Sequence, residues 1–155
     1  MSDILVDADA CPVKDEIYRV AQRYALSVTI VANMSMYVPQ RPWIELVVVN
    51  DHFDAADDWI VEHVAPGAIV ITGDIPLAAR CLKKGSRVLG LKGVMFTEES
   101  IGAALATREF LSQMREHGVM GGGPAPFAPK DRSLFLQRLD QLAGARRREL
   151  DTTKS

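Results

Sequence analysis

Short apolar runs rich in β-branched residues alternate with stretches of helical period along most of this chain, and that alternation admits few folds. The runs "DILVD", "LSVTIVA", "WIELVVVN", "AIVIT" and "SRVLGL" read as strands. Between them, "CPVKDEIYRVAQRY" places Val13, Ile17, Val20 and Tyr24 on one helical face, with Pro12 suited to the first helical position. "DAADDWIVEHVAPG" does the same with Ala56, Trp59, Ile60 and Val64, and "DIPLAARCLKKG" with Leu77, Ala78, Cys81 and Leu82. The polar, proline-containing "NMSMYVPQRP" reads as a loop between the second and third strands. A longer helix capped by Thr97, a Gly/Pro loop containing Gly121 to Gly123, and a helix over "DRSLFLQRLDQLAG" complete the pattern.

Strand and helix in alternation predict a three-layer α/β domain: a mostly parallel sheet of about five strands with helices on both faces. With 155 residues, one domain over residues 1–145 is expected, followed by a frayed basic and polar tail over 146–155. A hydrophobic fraction of 48% beside 25% charged residues argues for a globular chain rather than a disordered one. No apolar run approaches the roughly 20 residues of a membrane span, and Asp3 interrupts the N-terminus where a signal peptide would be basic and then apolar, so a cytoplasmic location is expected. Cys11 and Cys81 lack zinc or disulfide spacing and read as small packed residues. His52, His63 and His117 share no ligand spacing.

Right-handed crossovers put every parallel strand's C-terminal end on one edge of the sheet, the edge where ligands bind in open α/β folds. Asp7 and Asp9 follow the first strand there and Asp74 follows the fourth, with Asp57 and Asp58 in the first turn of the intervening helix. Gathered carboxylates repel one another unless a cation or a donor network compensates, and Mg²⁺ or Mn²⁺ suits such oxygen ligands. Structural roles compete. Asp74 is a good N-cap, Asp54, Asp57 and Asp58 suit a helix start, and Asp9 is either a ligand or the cap of the Pro12 helix. Asp7, ending a central strand, has no such structural use.

Three segments, "VDADACPVK", "DAADDWIVEHVAPGAIVITGDIPLAA" and "GGGPAPFAPKDRSLFLQRLD", resemble the uncharacterised bacterial YaiI/YqxD family, which is grouped with the PIN-like nuclease domains. The resemblance runs from Ile4 to about Leu142. It implies a parallel sheet with a carboxylate cluster holding Mg²⁺ or Mn²⁺, in which Asp7, Asp57 and Asp74 are metal ligands and Asp9 is a ligand or a water-orienting base. The implied reaction is metal-dependent hydrolysis of a phosphodiester, in RNA rather than DNA. Lys14, Lys92, Lys130 and Arg132 are the implied phosphate contacts. Two positions depart from the PIN-like pattern: the only glutamate between Leu26 and Phe53 is Glu45, within a strand, and Pro76 stands where a further acid is common.

"DADAC" also resembles the D-x-D-x-T/V motif of haloacid-dehalogenase-like phosphatases, which would make Asp7 a nucleophile and Asp9 a general acid. A third reading is a non-catalytic module binding nucleic acid or another partner. Among the aromatic residues, Trp59 falls at a core position, whereas Tyr37 with Arg41 is the better candidate to stack on a base.

Overall fold

A computed structural model describes residues 2–9, 11–49, 55–116 and 126–153. The strands are β1 (Ile4–Asp7), β2 (Val28–Ala32), β3 (Ile44–Val48), β4 (Ile69–Ile71), β5 (Arg87–Leu89) and β6 (Met95–Phe96). The helices are α1 (Lys14–Tyr24), α2 (Ala55–His63), α3 (Ile75–Lys83), α4 (Glu98–Glu116) and α5 (Pro129–Thr153). The strands form one sheet in the order β3-β2-β1-β4-β5-β6, parallel throughout except for β6 against β5. This is the expected three-layer, Rossmann-like α/β architecture.

Side-chain alternation along the buried strands assigns the layers. Ile4, Val6, Val28, Ile30, Ala32, Ile69, Ile71 and Leu89 pack with Ile17, Val20 and Ala21 of α1 and with Phe135 and Leu139 of α5. The intervening Leu5, Val31, Val70 and Val88 pack with Ile60 of α2, Leu77 and Cys81 of α3, and Ile101 of α4. Because both faces are covered, the central strands are apolar at nearly every position, with Asp7 of β1 and the buried Thr29 of β2 as polar exceptions, which explains their continuous β-branched runs. Each fully buried aliphatic side chain contributes roughly 1.5–3 kcal/mol of transfer free energy, so the two clusters dominate the fold's stability.

Four details differ from the sequence reading. A sixth strand exists because Gly90 N–H donates to Val94 O and Gly93 N–H to Gly90 O, folding the chain back after β5; at two residues, β6 is too short to show a period. The first helix begins at Lys14, two residues after Pro12; Val13 precedes it without any side-chain cap, so Asp9 does not cap it. The final helix starts at Pro129, inside the segment read as a loop. It then continues through the segment read as a frayed tail, to Thr153. Polar contacts, with Leu150 packing against the core beside them, hold that last part: Arg146 pairs with Asp3 at 3.2 Å, Arg147 donates to Tyr24 O and Ala25 O, and Arg87 pairs with Glu149.

Thr97 starts α4 as expected, accepting a bond from Ser100 N–H while its own N–H donates to Ser100 Oγ. No helix among the described residues is long and apolar enough to cross a membrane. Asp51 to Asp54, His52, His117 and the glycines at 121–123 lie outside the described residues.

Candidate active site

From β1 the chain moves to β2 and β3 on one side, then crosses to β4 on the other side of β1. The C-terminal ends of β1 and β4 therefore flank the topological switch point, the crevice where open α/β sheets take their ligands. Asp7 is the last residue of β1 and lies in register with Val31 of β2. By alternation its side chain shares the face of Leu5, toward α2 and α3. Directly after β4, the fully buried Thr72 donates its hydroxyl to Asp7 Oδ2 at 2.8 Å and accepts from Asp74 N–H at 3.0 Å. Asp74 in turn caps α3, its Oδ1 accepting from Leu77 N–H at 3.0 Å. One threonine thus joins the acid of β1 to the turn that carries the acid after β4.

Asp9, exposed in the β1–α1 turn, is held differently: Asn33 Nδ2, just beyond β2, donates to its Oδ2 at 2.9 Å. A carboxylate accepts only from the amide nitrogen, which identifies the other Asn33 atom as the oxygen. That Oδ1 is buried and has no hydrogen-bond partner. Lys14 closes the same turn by donating to Cys11 O at 2.9 Å.

The electrostatics follow from burial and crowding. Burial pushes the Asp7 carboxyl above its ordinary range; the Thr72 bond opposes this, and the nearby charges of Asp74 and Asp9 add to it. Burial likewise raises the Cys11 thiol, and burial of the Cys81 thiol between α3 and the sheet pushes it up to about 12, with Asp57 and Asp7 among the charges that add to the rise. Both thiols are buried, unbridged and protonated at neutral pH, as packed residues rather than nucleophiles.

Of the acids singled out in the sequence, Asp7, Asp9 and Asp74 meet within electrostatic reach at the switch point. Asp57, half-buried in the first turn of α2, reaches this neighbourhood through Cys81, whereas Asp58 pairs with Arg80 at 3.0 Å. Among the described residues no three His, Cys, Asp or Glu side chains converge closely enough to enclose a metal ion. The three-ligand set Asp7, Asp57 and Asp74 is therefore not assembled as a closed cage.

The basic residues expected near phosphate lie around the same edge. Lys14 opens α1, and Lys130 is exposed in the first turn of α5. Half-buried Lys92 sits in the turn before β6, next to Gly93, which packs against Leu134 of α5. Arg132 is tied into the fold: it donates to Glu16 Oε1 at 2.6 Å and to Pro12 O at 3.2 Å, and lies 5.0 Å over the Phe127 ring. This pairing docks the start of α5 beside the start of α1.

Thr72, Asn33 and Glu16 were not singled out in the sequence. Thr72 had a usable signal, a buried-strand position immediately before the "GD" turn. Asn33 and Glu16 had none, since their partners are remote along the chain. His63 stacks on Trp59, with ring centroids 3.8 Å apart, and its Nδ1 lies 2.7 Å from Trp59 O; it is a helix-end residue far from the acids in the chain's layout.

The family model for the uncharacterised YaiI/YqxD proteins matches residues 5–145. The chain belongs to the YaiI/YqxD family. A UPF0178 protein of Brucella ovis is similar to it, 57% identical over 138 residues covering 88% of this chain and 86% of the relative. A UPF0178 protein of Rhodopseudomonas palustris is 53% identical over 154 residues, 98% of both chains, and one of Bradyrhizobium diazoefficiens is 53% identical over 149 residues, 96% and 89% of the two. No solved structure matches the chain significantly. The matched region takes in every strand except for Ile4 of β1, so the Asp7–Thr72–Asp74 arrangement of this YaiI/YqxD protein falls within it.

Proposed function

We propose that this YaiI/YqxD protein is a divalent-metal-dependent nuclease that hydrolyses phosphodiester bonds, with RNA as the preferred substrate. The observation that carries the reading is the Thr72-linked pair Asp7 and Asp74 at the switch point, with Asp9 close enough to raise the Asp7 carboxyl further. The resemblance of the family to PIN-like nucleases supports it.

The donor set fits magnesium or manganese in an open manner. Magnesium keeps several waters and is commonly held by one or two carboxylates plus substrate phosphate, so a closed three-carboxylate cage is not required. Thr72 and Leu77 N–H each engage one oxygen of Asp7 and Asp74 and leave the second oxygen of each outside these bonds. Asp7 and Asp74 would hold the ion, with Asp57 nearby as a further ligand. When bound, such an ion supplies Lewis-acid stabilisation of phosphate charge and lowers the pKa of an attacking water. Asp7 is fixed by Thr72 for this task, and Asp9, oriented by Asn33, accepts the water's proton. Lys14, Lys92, Lys130 and Arg132 ring the edge as phosphate contacts.

Cleavage of single-stranded RNA and DNA with and without Mg²⁺ or Mn²⁺, alongside Asp7→Asn and Asp74→Asn, tests the assignment. Turnover should require the metal and fall at least about 100-fold in either variant, the usual scale for removing a group that stabilises transition-state charge. Turnover of a phosphate monoester, with Asp7 trapped by beryllium fluoride, would instead establish the phosphatase reading. Binding without metal-dependent turnover, unchanged in Asp7→Asn, would establish a non-catalytic module.

A further inference from the structure

The β2–β3 connection is a parallel crossover made without a helix, and it starts at the acidic edge. Its first residue, Asn33, is tethered to Asp9, and further along Met36 and Val38 pack into the α1-side core. Between those two anchors Tyr37 is 83% exposed, and Met34 beside Asn33 is 74% exposed. An aromatic ring held out to solvent from a pinned backbone gains nothing from folding. Tyr37 also forms one wall of a cleft of about 660 Å³ that continues along Gln40, Pro42 and Leu46. A volume of a few hundred Å³ is the size of a small-molecule or base site. Near the far end, exposed Arg41 donates to Gln40 O, which positions a cation outside the cleft.

We propose that this crossover is a base-binding subsite for single-stranded nucleic acid: Tyr37 stacks on one nucleobase of a strand whose phosphodiester lies at Asp7. The inference rests on the nuclease reading for the identity of the strand, and adds which residue holds it. Stacking suits a site of this kind because every base has a π-face, so the contact grips the strand without selecting a sequence. Asn33 is a positioning residue. Its bond to Asp9 keeps the start of the loop in register with the acids. Arg41 takes a neighbouring backbone phosphate, while Glu45, also lining the cleft, repels the strand's phosphates from its floor.

The test is binding by fluorescence anisotropy, in the full-length Asp7→Asn background so that no strand is cut. The probes are a short labelled single-stranded RNA and an abasic strand of the same length. Tyr37→Ala should weaken the base-containing strand by roughly 5- to 100-fold, the range expected for losing one stacked base, and leave the abasic strand unchanged. Tyr37→Trp should restore binding. An unchanged melting temperature in Tyr37→Ala checks that the exposed site is not structural. Equal affinity of Tyr37→Ala and its parent for RNA, equal losses for both strands, or no RNA binding by the parent would each overturn the subsite. Metal-dependent cleavage measured in parallel, on the Asp7 protein, separates the two ideas. Cleavage indifferent to Tyr37→Ala leaves the nuclease without this subsite; Tyr37-dependent binding without cleavage leaves the subsite without the nuclease.

Discussion

Asp7 carries an electrostatic cost that a single substitution exposes. Its carboxyl is raised by burial above the ordinary 3.8, so the folded state holds the proton more tightly than the unfolded chain does. Below 3.8 both states are protonated and the group is neutral toward folding. As pH rises above 3.8 the unfolded chain ionises before the buried group does, and stability falls until the folded carboxyl has ionised as well. Asp7→Asn keeps the acceptor for Thr72 and removes the charge. Measured in EDTA, it should melt a few degrees above the parent at pH 7, with the gap closing below about pH 4. A variant less stable than the parent at pH 7 would contradict this account. Asp74 separates its two roles by substitution: Asp74→Ala should cost about 1 kcal/mol in urea unfolding through the lost cap, whereas Asp74→Asn should cost less and still lose metal-dependent activity.

Contacts between elements rest on a few close approaches. Gly93, at φ 90°, lies so near α5 that an added Cβ would stand 2.7 Å from Leu134 Cγ and 2.9 Å from the backbone at Phe135 N. Gly93→Ala combines a strained backbone with that clash and should lower the unfolding free energy by about 1–3 kcal/mol. A urea midpoint equal to the parent's would show that the β5–β6 turn and α5 part easily. At the other end of α5, Arg146 and Asp3 are each 14% exposed at the side chain, so the pair is largely desolvated. Removing one partner strands the other charge, and Arg146→Met should destabilise by about 1–3 kcal/mol, with truncation after Ala145 costing more because Leu150 also leaves the core.

On the scale of the molecule, the formal charge of −2 conceals a division: acids at the end of β1 and after β4, and Lys14, Lys92, Lys130 and Arg132 around them. These four cations, together with Arg41 of the crossover, contacting a single strand predict that log affinity for RNA falls with log salt at a slope of about −3.5, roughly 0.7 for each contact. Replacing Lys130 with Ala should reduce the slope by nearly one contact without altering metal binding, and anisotropy titrations across salt concentrations would show it. A slope near zero would remove the basic residues from the interface.

Much of the architecture was legible in the chain itself. Strand runs buried on both faces must be apolar at nearly every position, and helices covering them must repeat near 3.6 residues, so the layers and the placement of Asp7 and Asp74 at one edge followed from local pattern and crossover handedness. Short or polar-stabilised elements were not legible: β6 has two residues, and the last turns of α5 are held largely by arginine contacts that leave little periodic trace. Side-chain pairing at the site was decided by the tertiary structure alone. Asn33 meets Asp9 across 24 residues, Thr72 meets Asp7 across 65, and Arg132 meets Glu16 across 116. Hydrogen-bond partners so far apart in sequence are selected by sheet register and helix docking, which no local propensity encodes.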